Sequence, residues 1–122
     1  MDLEKFPEAF EAAAEAVRLS PGSAYAYLCL GCSLQEQNSY SEAIRAYSRS
    51  LELDPDQFEA RANLGEIFLE LERFEDALAA FLTVGKLRSN DAKLHRYTGE
   101  AYFRLGKLDQ ARDELQKLKE FG

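Results

Sequence analysis

Cys29-Leu30-Gly31-Cys32 is the stretch whose spacing comes nearest to reactive chemistry. It is a C-x-x-C motif, found in redox dithiols and as half of a zinc site. Zinc takes four ligands, yet His95 is the one histidine and no further cysteine exists. A redox pair gains its low thiol pKa at a helix N-terminus, whereas this pair falls in mid-helix. Residues three apart on a helix hold their Cβ atoms about 5–6 Å apart, against roughly 3.5–4.5 Å in a disulfide. Packing or groove thiols are therefore expected. His95 has no second histidine, no Ser/His/Asp set and no glycine-rich phosphate loop beside it, so a partly buried structural role is expected. The acid pairs Asp54/Asp56, Glu70/Glu72 and Asp113/Glu114 fall at turns or on helix surfaces and read as solvated charge. The expectation is a chain that is not an enzyme and uses no metal or cofactor.

The elements that carry these residues follow from composition and repetition. The 122 residues fit one domain, 46% of them apolar and 30% charged, in long runs rich in Ala, Leu and Glu. An all-α chain is expected. The 15 basic and 22 acidic residues give a net charge of -7, which repels phosphate and argues against nucleic acid. No apolar run approaches the roughly 20 residues of a membrane span. The first residues, MDLEKFPEAF, lack the basic-then-apolar layout of a secretory signal. Two cysteines form no disulfide framework. Cytoplasm is the default expectation.

Shifted by 34 residues, the chain aligns on itself. Ala9, Ala43, Ala77 and Ala111 fall in register, as do Phe6, Tyr40, Phe74 and Leu108. So do Leu19, Leu53 and Leu87, then Gly31, Gly65 and Gly99, then Leu34, Phe68 and Tyr102. Pro21 and Pro55 match, with Ser89 in the same slot. Glycine inside a helix costs roughly 1 kcal/mol against alanine, so the glycine column implies close approach of a neighbouring helix. Tyr27, Leu30 and Leu34 share one helical face, and Ile44, Tyr47 and Leu51 another. Two such faces make a helix hairpin, and stacking the next hairpin covers what the first leaves exposed.

The expected helices are one within 2–22, with Pro7 in its first turn, then Ala24 to about Gln37 and Tyr40–Leu53. Phe58–Leu71, Phe74–Leu87, Ala92–Leu105 and Leu108–Phe121 complete the seven. Ser23 reads as an N-cap, and Ser39 with Glu42 as a capping box. The expected organisation is a single domain over 1–122, with a half repeat at 2–22 and repeats at 24–57, 58–91 and 92–122.

On Tyr27, Leu30, Gly31, Leu34, Ala43, Tyr47 and Pro55, the pattern resembles the tetratricopeptide repeat family. Leu64, Gly65, Phe68, Ala77 and Phe81 carry the resemblance in the next copy, and Gly99, Tyr102 and Ala111 in the last. The sequence departs at Thr98, at Leu115 where better copies are aromatic, and at Ser50 and Val84 where the residue is usually alanine. The resemblance implies a right-handed superhelical stack, an α-solenoid of about three and a half helix–turn–helix units. It also implies adaptor, assembly-factor or secretion-chaperone roles.

In such stacks the first helices line a concave face. The stripe opposite the core stripe is expected to form a peptide-binding groove. Tyr25, Leu28, Cys29, Cys32 and Glu36 supply its first row, Glu59, Asn63, Glu66 and Glu70 its second, and Lys93, Arg96, Tyr97, Glu100 and Arg104 its third. The rows run from apolar with thiols, through acidic, to basic with an aromatic ring, which suits a peptide or helix segment of another protein. One subgroup of the family clamps a chaperone's C-terminal carboxylate with Lys and Asn, then Asn, then Lys and Arg. Asn63 and Lys93 match that set, but Leu28, Cys32 and Tyr97 replace the rest and argue against it. The alternative expectation is a structural or assembly module. Phe6, Phe10, Ala13 and Val17 on the first helix are covered on one side only, so the chain would self-associate or dock through that end.

Overall fold

The computed structural model describes residues 5–87 and 91–120, with side chains from residue 8 onward. The Phe6 side chain, Ser89 and Phe121 lie outside the described residues. Seven helices occur among those described: α1 (Lys5–Leu19), α2 (Ala24–Glu36), α3 (Tyr40–Leu53), α4 (Phe58–Glu70), α5 (Phe74–Leu87), α6 (Ala92–Arg104) and α7 (Leu108–Lys119). No strand occurs among the described residues. The start points of α2 to α7 are those the sequence predicts. α2, α4 and α6 end one residue earlier, because the last residue has already turned out of the helix, and α7 ends at Lys119.

That turn is the same in every pair. Asn38, Glu72 and Gly106 have φ of 61°, 60° and 79°, and they stand 34 residues apart. After each, a backbone N–H reaches back to close the helix end: Ser39 to the Leu34 carbonyl at 2.9 Å, Arg73 to Phe68 at 2.8 Å and Lys107 to Tyr102 at 2.9 Å. The orphan carbonyls are thus satisfied by a left-handed C-terminal motif.

Ser23 caps α2 as expected, its hydroxyl accepting from the Ala26 N–H at 3.1 Å. The capping box expected of Ser39 does not form; Ser39 makes no side-chain cap bond. Backbone geometry explains the difference. Ser23 and Asp91 are extended, with ψ of 113° and 116°, and both cap their helices. Ser39 and Lys107, with ψ of 68° and 74°, follow the left-handed residue and do not.

The chain divides into two compact units, Met1–Asn63 and Leu64–Gly122. In the first, α2 packs between α1 and α3. It is therefore buried on more than one face: Ala26, Leu28, Gly31, Ser33 and Leu34 are all interior. Tyr27 and Leu30, expected in the core stripe, are only half-buried, and Arg49 lies 5.9 Å over the Tyr27 ring. Ala43, Tyr47 and Ser50 of α3 are fully buried. The Ser50 hydroxyl donates to the Ala24 carbonyl at 2.7 Å, which satisfies the serine that stands for alanine.

The second unit repeats the plan with α5 against α6 and α6 against α7. Ala77, Phe81 and Val84 are buried. Thr98, which replaces leucine, is buried too, and its hydroxyl donates to the Leu94 carbonyl at 2.8 Å. Two further buried columns at the same spacing were not drawn from the sequence: Ala26, Ala60, Leu94 and Ser33, Ile67, Ala101. Small and apolar residues alternate in them, which hides the match.

Candidate functional site

In the first unit a cavity of about 450 Å³ opens between α1, α2 and the start of α4. Its wall on α1 is Ala9, Ala12, Ala13 and Ala16, spaced to share one helical face. Its wall on α2 is Tyr25, Leu28, Cys29, Cys32, Ser33 and Glu36, and Glu59 of α4 closes the rim. Six residues of the expected groove are therefore brought together: Tyr25, Leu28, Cys29, Cys32, Glu36 and Glu59. They do not contribute alike. Tyr25 is 66% exposed and stands as a flat aromatic edge, whereas Leu28, 3% exposed, is a buried wall. Glu36 and Glu59 are exposed and are the charged residues lining the cavity among those described.

Of the α1 alanines, Ala9, Ala12 and Ala16 were missed as site residues. Their signal was present, since Ala9, Ala12, Ala13 and Ala16 occupy the columns of Ala43, Ala46, Tyr47 and Ser50. Alanine in such a column reads equally well as close packing. Of the residues expected to self-associate, Ala13 is 7% exposed and so belongs to this wall, not to an open apolar surface. Phe10 and Val17 are half-buried.

Both thiols are free and half-buried. The Asn63 side-chain amide donates to Cys32 Sγ at 3.6 Å. Burial pushes the Cys32 thiol up, and a hydrogen bond from Tyr47 opposes it only in part. A raised thiol pKa is the reverse of what an attacking cysteine needs. The electrostatic interaction with Cys29, and the hydrogen bond with it, raise the Tyr25 hydroxyl, with desolvation and Glu59 adding to the effect. Among the described residues, no group of three or more His, Cys, Asp or Glu is placed to hold a metal ion.

In the second unit, four expected groove residues meet. Tyr97 stacks on Phe81 with ring centroids 5.5 Å apart. Its hydroxyl donates to Glu66 at 3.5 Å, and Lys93 Nζ stands 3.9 Å from the same carboxylate. Lys93 and Arg96 lie 5.6 and 5.1 Å from the Tyr97 ring centroid, at cation–π range. Arg96 is exposed, so its fork remains presented to solvent. Glu70, Glu100 and Arg104 are exposed as well, and Arg104 reaches over the Phe74 ring at 5.3 Å.

His95 lies apart from this cluster. Its Nδ1 is 3.0 Å from Glu114 Oε1, and Lys117 Nζ donates to the other carboxylate oxygen at 3.0 Å. Both the His95 and Glu114 side chains are largely covered. The imidazole thus ties α6 to α7.

The tetratricopeptide repeat family model matches residues 28–92 and again 69–122. Comparison with curated protein sequences gives no match. Among solved structures, a crystal structure of MamA aligns with a TM-score of 0.89 at 25% identity, over 98% of this chain and 70% of that one. A second MamA crystal structure aligns at 0.87 with 24% identity, over 94% and 63%. MamA from Desulfovibrio magneticus RS-1 aligns at 0.89 with 23% identity, over 94% and 65%. The chain spans about two-thirds of the length of these proteins, and the likeness carries the fold. No helix among the described residues is long and apolar enough to cross a membrane.

Proposed function

This chain belongs to the tetratricopeptide repeat family, and from that premise we propose a non-catalytic scaffold that holds a peptide or helix segment of another protein. The observation that carries the reading is the cavity of the first unit, where six residues of the expected groove line one concavity. Ligand sites of this kind are concave, mostly apolar and marked by a few polar groups. Tyr25 offers an amphipathic contact at the edge, and Glu36 and Glu59 supply charge. In the second unit, Arg96 beside Tyr97 offers a forked donor to a carboxylate.

Affinity capture from source lysate tests this. Ala12 is exposed in the cavity wall, so Ala12→Trp fills the cavity without entering the core. The expected result is a partner captured by wild type and lost from Ala12→Trp at unchanged helicity. A partner held equally by wild type, by Ala12→Trp and by the Asn63→Ala/Arg96→Ala double variant would place binding elsewhere and end the reading.

The open alanine face of α1 favours a second reading, in which the chain docks to a copy of itself through that helix. Light scattering after size-exclusion chromatography decides it. A strictly monomeric mass at high concentration removes self-association.

A further inference from the structure

The repeat itself shows what the α1 face is built to meet. Ala9, Ala12, Ala13 and Ala16 stand in the columns of Ala43, Ala46, Tyr47 and Ser50 on α3, and of Ala77, Ala80, Phe81 and Val84 on α5. All eight of those α3 and α5 residues are buried. In both helices the aromatic member is covered by a helix: Tyr47 meets Gly31 of α2, and Phe81 meets Gly65 of α4. On α1 the same face is open at its edges, for Ala9 and Ala12 are exposed and Ala16 is half-buried, while Ala13 at its centre is 7% exposed and forms the floor of the cavity. Among the described residues, no helix covers it. The concavity therefore lies where α3 and α5 each receive a covering helix.

Its size and charge specify that helix further. Ala13 replaces the large rings of Tyr47 and Phe81, so space remains where the covering helix elsewhere must carry glycine. An engineered cavity of about 150 Å³ holds one benzene, so roughly 450 Å³ takes two or three side chains of that size. Among the described residues the rim is acidic, with Glu36 and Glu59, and no lysine or arginine lines it. Ser33, 5% exposed, lines the same cavity, and its hydroxyl has no hydrogen-bond partner among the described residues. An incoming donor would relieve that unmet group. A second copy of this chain, itself carrying a net charge of -7, suits an acidic rim poorly.

We propose that the concavity between α1 and α2 seats an amphipathic helix of a partner protein, one that places a large apolar residue opposite Ala13 and lysine or arginine at its flanks. The proposal rests on the scaffold reading above and deepens it. Recognition is of the helix-in-groove kind, with anchors at i, i+3, i+4 and i+7. Its specificity inverts the internal rule of the fold, since a glycine is needed opposite Tyr47 and Phe81 and a bulky residue opposite Ala13.

Fluorescence anisotropy with designed, fluorescein-labelled helical peptides tests the proposal. One carries leucine anchors flanked by lysines, a second has glutamates for the lysines, and a third has glycine for the central leucine. The lysine-flanked leucine peptide is expected to bind saturably. The other two should bind about tenfold more weakly, as loss of two exposed ion pairs or of one buried anchor implies. Glu36→Gln with Glu59→Gln should bring the lysine and glutamate peptides to equal affinity, both substitutions being at exposed positions. Equal affinity of the three peptides for wild type overturns the proposal, as does no saturable binding of the lysine peptide. A stable dimer of wild type that Ala12→Trp converts to monomer also overturns it, since the seat is then filled by a second copy. The scaffold reading is judged separately. If Ala12→Trp loses its captured partner while the peptides show no preference, that reading stands and the basic helix falls.

Discussion

An added Cβ on Gly31 would stand 2.5 Å from the Tyr47 ring. Gly65 and Phe81 repeat the relationship at the same distance. Gly99 does not: its nearest neighbours are Glu114 and Leu115 at 3.5 Å, an ordinary contact. One column of identical residues thus does two different jobs. In the first two pairs glycine makes room for a buried ring, and in the last pair that room is not used.

Alanine substitution should separate these jobs. Gly31→Ala and Gly65→Ala gain roughly 1 kcal/mol of helix propensity, but they overpack rings that are almost completely buried, at about 1–3 kcal/mol. Net destabilisation is expected for both. Gly99→Ala should be neutral or stabilising by up to about 1 kcal/mol. Urea melts of the three variants check the order. Tyr47→Leu, which copies the Gly99–Leu115 pair, should reduce the cost of Gly31→Ala in a double-mutant cycle.

Glu72 holds a left-handed backbone with φ of 60°. For a residue with a Cβ that conformation costs roughly 1–2 kcal/mol, and glycine adopts it freely. Glu72→Gly is expected to stabilise the protein by about 1 kcal/mol, and Gly106→Ala to destabilise it by a similar amount. Thermal melts with opposite shifts of midpoint are the check. Equal shifts in one direction would contradict the strain account.

Glu114 supplies a pH dependence. Burial acts to raise its pKa, but hydrogen bonds from His95 and Lys117 outweigh it and leave the carboxyl below its ordinary value. A carboxylate depressed in the folded state adds stability above its unfolded pKa of roughly 4.3 and loses it as pH falls through the lower folded value. Wild type should therefore exceed Glu114→Gln in melting temperature near neutral pH, and the gap should close at strongly acidic pH. A gap that is constant over this range would show that the carboxylate's charge is not what holds α6 to α7.

The sequence made the helices legible because their signals are periodic. Register, helix starts, the Gly and Ala columns and the family follow from a spacing of 34 and from turn residues such as Asn38 and Pro55. Features that depend on several chains of contact at once were not legible. Glu72 gives no sign of a left-handed turn, because glutamate has no preference for one. Ser39 carries the right letters for a capping box but the wrong ψ, inherited from Asn38 before it. Leu28 was assigned outward by helical spacing, although α2 lies between two helices and buries both sides. Ala9 read as a close-packing alanine and Ala13 as uncovered surface, and neither reading pointed to a cavity wall until the missing ring at Ala13 was set against Tyr47. A small side chain does not announce whether its neighbour is absent or merely close.

The turns at Asn38, Glu72 and Gly106 share one geometry across three unlike residues. The bracketing helices, not the turn residue, therefore set it. A single inserted residue there would rotate the following helix by about 100° and swing Ala43, Ala77 or Ala111 out of its seat. Substitution at these corners thus shifts stability but keeps the register of the helix that follows, while insertion and deletion do not. The constancy of the repeat length is, in this sense, a mechanical property of the hairpin.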